Sequence, residues 1–246
     1  MMITETPWKL DTPDGFVIHG VTSSDGPAHK AIFMVHGLTG HMNEYHFKRA
    51  ADVLAAKGYD VYRFDLYSGE KGGRRMENCT LDTHAADLNT VMQAFGTKYN
   101  KCFAIGHSYG GPSVMLANPD GLTAASLWDP SYDLAKVQEE FGDNYETGDT
   151  YDLLNWGTTY LIGKPMRKQA RSLDAAACRK LAHDFNAPVQ VVMAGNGYYV
   201  NKGESYDSFG DSRNRRDVVE GTVHCFNEGQ TCEVLLEKTL NWFENF

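Results

Sequence analysis

The residues with the clearest chemical potential are Gly106-His107-Ser108-Tyr109-Gly110-Gly111. A serine hydroxyl is a poor nucleophile unless it is exposed, oriented and close to a base, and a sharp strand-to-helix turn supplies the first two conditions. Glycines two positions before and two after the serine keep such a turn free of Cβ clashes. An apolar strand over 101–105 and a helix over 112–118 flank the motif, and that context makes Ser108 the candidate nucleophile.

The serine needs a base, and histidine titrates nearest neutral pH. Of nine histidines, His224 lies in Gly221-Thr222-Val223-His224-Cys225-Phe226, after the last strand and before the last helix. His19, His29, His84 and His183 read as surface or ordinary helix positions, and His41 and His46 as solvated neighbours of a loop that begins at His36. No His, Asp or Glu cluster has metal-ligand spacing along the chain, so no metal or other cofactor is expected.

With Ser108 and His224 in these places, the chain resembles the α/β-hydrolase superfamily over nearly its whole length. The second matching piece is His36-Gly37-Leu38-Thr39-Gly40-His41. By that resemblance the backbone amides of Leu38 and Tyr109 form an oxyanion hole, with His36 a packed loop residue, and the chain order serine, acid, histidine assigns the base to His224. The strand 59–64 with Asp65, Gly69, Gly72 and Gly73 resembles the strand and glycine loop ahead of the nucleophile, expected to pass close to the oxyanion loop.

The acid departs from the family pattern, because Gly197 occupies its usual slot after the strand 188–194. Asp129, one strand earlier in Trp128-Asp129-Pro130, is the first alternative, since neighbouring parallel strands lie only about 4.8 Å apart. Asn196 could orient the histidine instead, Glu204, Asp207 or Asp211 could fold back, Asp133 is a further candidate, and a site without an acid stays open.

The His-Gly-Leu-Thr-Gly-His loop is similar to that of feruloyl and cinnamoyl esterases. Residues 134–185 and 188–204 look more like the myristoyl-carrier-protein thioesterase of bacterial bioluminescence. The resemblance implies hydrolysis of a small-molecule carboxylic ester or thioester with an apolar or aromatic acyl group through an acyl-enzyme. An acyltransferase, an aminopeptidase or a ligand-binding member without activity remain alternatives. A serine at 108 excludes dehalogenase chemistry, which needs an aspartate nucleophile.

The elements that must position these residues follow from periodicity. A hairpin is expected over 8–12 and 16–22 around Pro13-Asp14-Gly15. Strands are expected at 31–35, 59–64, 101–105, 122–128, 188–194 and 216–221, with helices at 44–57, 81–95, 112–118 and 232–243. This alternation predicts an α/β protein with a mostly parallel, doubly wound sheet. Residues 131–171, rich in Phe141, Tyr145, Tyr151, Trp156 and Tyr160, show no strong strand and read as an inserted helical cap on a core of 1–130 and 172–246.

Composition sets the outer bounds. The chain has 246 residues with 23 Lys and Arg against 32 Asp and Glu, a net charge of −9, which argues against nucleic-acid binding. No apolar run is long enough to span a membrane, no signal peptide is evident, and five scattered cysteines indicate neither disulfides nor zinc. A cytoplasmic location is expected, and the oligomeric state is left open.

Overall fold

A computed structural model of the chain describes residues 2–156, 158–201, 206, 209–210 and 213–246. Among the described residues the strands are β1 (Thr4–Asp11), β2 (Val17–Ser24), β3 (Lys30–Val35), β4 (Tyr59–Asp65), β5 (Lys101–His107), β6 (Leu122–Trp128), β7 (Tyr145–Thr147), β8 (Tyr151–Trp156), β9 (Thr158–Gly163), β10 (Val189–Ala194) and β11 (Arg215–Val219). The α-helices are α1 (Tyr45–Ala55), α2 (Leu81–Phe95), α3 (Gly110–Ala117), α4 (Leu134–Glu140), α5 (Lys164–Ala170), α6 (Ala175–Asp184), α7 (Tyr198–Asn201) and α8 (Thr231–Phe243).

Eight strands form one sheet in the order β1-β2-β4-β3-β5-β6-β10-β11. β1 pairs with β2, and β2 with β4, antiparallel; every later pairing in this sheet is parallel. The continuous apolar run of β3 is explained by cover on both faces. Ala31, Phe33 and Val35 join the core layer that includes Leu88 and Val91 of α2 and Val114 of α3. Ile32 and Met34 join the opposite layer with Phe47 and Leu54 of α1 and Leu235 and Phe243 of α8.

Helix α2 begins where Thr80 accepts from the Thr83 amide at 3.1 Å and Thr83 accepts from the Thr80 amide at 2.9 Å, a reciprocal cap. Trp128, fully buried at the end of β6, donates from Nε1 to Thr239 Oγ1 of α8 at 2.9 Å. That bond ties the strand end carrying Asp129 to the last helix.

The inserted segment differs from the helical cap expected. Between α4 and α5 the chain builds a three-stranded antiparallel sheet, β7-β8-β9, with Tyr145 opposite Leu154 and Leu153 opposite Leu161. Tyr, Trp, Thr and Leu suit strands, and Gly148, whose amide bonds Tyr151 O at 2.9 Å, makes the first reversal. Buried Asp152 of β8 pairs with Arg167 Nη1 of α5 at 2.6 Å, and the Arg167 guanidinium lies 3.7 Å from the centre of the Tyr145 ring.

The glycine loop also differs in its neighbour. Val17 N donates to Gly72 O at 2.8 Å, and a Cβ on Gly72 would lie 2.8 Å from Val17 Cγ2, so this loop packs on the start of β2. Leu66 and Tyr67, just before it, are what reach the 36–37 turn. No helix among the described residues is long and apolar enough to cross a membrane.

Candidate active site

Ser108 stands on the turn between β5 and α3 with φ +55°, a conformation that costs a non-glycine residue about 1–3 kcal/mol. Such strain persists only where the surroundings enforce it, and the flanking glycines show how. A Cβ on Gly106 would lie 2.5 Å from Gly110 O, and one on Gly110 would lie 2.1 Å from Val35 O. Gly37 is constrained from the other side, because a Cβ there would lie 2.8 Å from Ser108 Cβ. The 37–38 backbone and the nucleophile turn therefore approach each other only because glycine is present.

Asp129 and His224 come together from separate loops. Asp129 follows β6 in a left-handed conformation, φ +37°, with its amide bound to Val192 O at 2.7 Å. Its carboxylate is fully buried; Oδ1 accepts from the Ala194 amide at 3.2 Å and Oδ2 accepts from His224 Nδ1 at 2.6 Å. With Nδ1–H committed to the carboxylate, Nε2 of His224 is free to accept a proton. The His224 side chain is 41% exposed, which leaves the ring open to an incoming molecule.

Gly197 accounts for the missing family acid. A Cβ at 197 would sit 2.9 Å from Ala194 O and 3.3 Å from Asp129 Oδ2. The slot of the usual acid and the carboxylate of Asp129 thus adjoin one another. Asn196 contributes its backbone, N–H to Thr222 O at 2.9 Å, and Asp133 caps α4 by accepting from Lys136 N at 3.3 Å. Glu204, Asp207 and Asp211 lie outside the described residues.

Sequence reasoning missed the hydroxyl neighbours of the serine. Ser108 Oγ shares a hydrogen bond with buried Ser131 Oγ at 3.4 Å, and among the described residues it makes none with His224. Tyr199 is buried as well, and that burial raises its pKa. Tyr206 donates to Ser131 O at 2.8 Å, and Tyr132 packs edge-on against Tyr206. No local motif marks these tyrosines; only the folded loops gather them. Because Ser108 must give up its bond to Ser131 to reach His224, replacing Ser131 by Ala is expected to raise kcat/KM by up to about 5-fold, a net hydrogen bond being worth roughly 1 kcal/mol; steady-state kinetics on a chromogenic ester checks this.

The loop holding Leu38 is braced by groups that also escaped notice. Asp65 Oδ1 accepts from Met42 N at 2.7 Å, and fully buried Arg63 donates to Met42 O and Asn43 Oδ1, each at 2.9 Å, while pairing with Glu5. His36 donates from Nδ1 to Gly37 O at 2.9 Å and accepts at Nε2 from Leu66 N at 3.1 Å. It is a packed residue. His19 and His84, read as surface or ordinary helix positions, and His46, read as solvated, are all buried, with His84 on α2 and His46 and His84 completely enclosed. A polar side chain's type does not reveal that it is enclosed by distant segments.

Burial lowers the pKa of His36 to about 4 and of His46 to about 3, and takes His84 and His107 well below the ordinary value. The unfolded chain protonates all four near pH 6.5, so unfolding in mild acid takes up protons there. Asp87, raised by burial to about 6, and Glu44, raised likewise, release protons on unfolding and offset part of this. The histidines outnumber the carboxyls, so the net uptake of protons on unfolding predicts that stability falls as pH drops from 6.5 towards 4. Urea midpoints at pH 7, 6 and 5 measure it; equal midpoints contradict it.

The doubly covered sheet and the serine turn at its centre define the α/β-hydrolase fold, and the chain has that fold. Residues 26–132 match the family model described as serine aminopeptidase, S33. Among solved structures the chain is similar to Est1E from Butyrivibrio proteoclasticus with ferulic acid bound, at 19% identity over 96% of this chain and 99% of that one, TM-score 0.76. It is similar also to a putative hydrolase from Agrobacterium vitis, at 15% identity over 98% and 99%, TM-score 0.74. The esterase domain of a Rhodothermus marinus protein aligns at 15% identity over 98% of each chain, TM-score 0.71. No curated protein matches the sequence. These neighbours share the fold, and the family model matched over residues 26–132 is that of a hydrolase family.

Proposed function

We propose that this protein is a serine carboxylesterase acting on small esters with an apolar or aromatic acyl group. The observation that carries the proposal is the 2.6 Å contact between His224 Nδ1 and buried Asp129 Oδ2, beside a serine held at φ +55°. As substrate binds, the Ser108 hydroxyl turns from Ser131 to His224 Nε2, which takes its proton as Oγ attacks the ester carbonyl. The amides of Leu38 and Tyr109 receive the oxyanion; one such donor is typically worth about 2.7–4 kcal/mol. The imidazolium then protonates the leaving alcohol, and water, deprotonated by the same histidine, releases the acid. Asp129 fixes the tautomer of His224 and stabilises its cation.

Buried Tyr109, Tyr132, Tyr199 and Tyr206 around the serine turn support an aromatic or apolar acyl group. Ferulic acid bound to Est1E adds hydroxycinnamoyl esters to that class. Five free cysteines, four of them buried, support a reducing compartment such as the cytoplasm. The test is turnover of p-nitrophenyl butyrate, methyl ferulate, an acyl-pantetheine thioester and an amino-acid p-nitroanilide. Higher kcat/KM for the oxygen esters is expected. Preference for the thioester would move the assignment to a thioesterase, preference for the anilide to an aminopeptidase, and no turnover of any would overturn the enzyme reading.

A further inference from the structure

Beneath the candidate active site, Glu44, His46 and His107 converge from the start of α1 and the end of β5, with one donor atom from each lying within 4.8 Å of the others. Both ring nitrogens of fully buried His46, Nδ1 of buried His107 and Oε2 of Glu44 have no hydrogen-bond partner among the described residues. Buried polar atoms are nearly always satisfied, so four orphans in one place call for an occupant.

The chemistry of the donors narrows what that occupant is. His107 donates Nε2–H to His224 O at 2.9 Å, which leaves Nδ1 unprotonated with its lone pair turned away from that bond. A ring nitrogen bound to a backbone carbonyl while the other keeps a free lone pair is the arrangement in which histidine ligates metals. Two neutral imidazoles and one carboxylate match the His2Glu set of open zinc sites. Tetrahedral ligands at zinc distances stand about 3.3 Å apart, so the donors need to close by at most about 1.5 Å. Glu44 is half-buried as a residue, with its Oε2 atom buried.

We propose that Glu44, His46 and His107 bind one divalent transition-metal ion of the zinc type, in a site that adjoins the serine machinery without including Ser108, His224 or Asp129. A dication there sits on the residue that holds the His224 carbonyl and lies against the His224 ring, 4.7 Å between ring centres. Metal uptake is therefore coupled to the loop of the candidate base.

The experiment is titration of the chelator-treated full-length protein with zinc chloride by calorimetry, with a zinc-edge X-ray absorption spectrum of the loaded sample. One saturating equivalent, two imidazoles per zinc, and an affinity reduced more than about 10-fold by Glu44→Gln and by His46→Gln are expected. Glu44→Gln preserves volume at a half-buried position, and its folding is checked by thermal unfolding. No saturable uptake, a spectrum showing sulfur ligation from Cys225, or full affinity in both variants would overturn the site and leave a buried water as its occupant. These readouts do not depend on the esterase reading.

Discussion

Replacing Ser108 by Ala is expected to lower ester turnover by roughly 10⁴- to 10⁶-fold, equivalent to about 5–8 kcal/mol of transition-state stabilisation. The loss falls on kcat, because substrate still meets the same pocket walls while no acyl-enzyme forms. Stability should move little or upward. Ser108 holds φ +55°, and the Ala variant keeps that strain while losing only the 3.4 Å contact with Ser131. Ser108→Gly, which relieves the strain, should be equally inactive yet more stable by about 1 kcal/mol, as expected where function is held in a strained backbone. Stopped and steady-state assays with thermal unfolding of both variants separate the two effects. A Gly variant less stable than wild type would show that the turn is not strained.

Asp129→Asn is the second large effect. An amide at this position can no longer fix the His224 tautomer with Nδ1–H donating, and loss of the acid from such a triad costs about 10⁴ in kcat. The same substitution replaces an acceptor of the Ala194 amide and the 2.6 Å partner of His224, so KM should change much less than kcat. Gly197 provides an independent check. Gly197→Asp places a second carboxylate against Asp129 Oδ2, where two like charges raise one pKa and disturb the His224 contact, so it should reduce activity rather than restore a family pattern. An active Asp129→Asn variant would remove Asp129 from the mechanism while leaving Ser108 and His224 in place.

The parallel core was legible because β3 and β5 at its centre are short apolar runs ended by a turn, and α2 beside them repeats apolar residues every three or four positions. The Ser108 turn was legible for the same local reason: strand, glycine, serine, glycine and helix are contiguous. The acid was not settled, because Asp129 and His224 meet only through the order of β6, β10 and β11 in the sheet. Helices α4 and α5 lie in the inserted segment as expected, but its sheet was not legible, since β7 to β9 are short, alternate imperfectly and lean on Arg167 and Asp152, charged groups whose burial depends on tertiary partners. His46 and His107 carried no signal either; one begins a helix and the other precedes the serine, and only the fold brings their rings to 4.6 Å.

The acyl-enzyme pathway requires that Ser108, alone among the serines, be activated by His224. Treatment with a fluorophosphonate followed by peptide mass mapping tests this directly. One phosphonyl group on the peptide that contains Ser108, absent in Ser108→Ala and slowed by orders of magnitude in Asp129→Asn, is the predicted result. An unmodified Ser108 peptide under conditions that label an authentic serine esterase to completion would contradict the account.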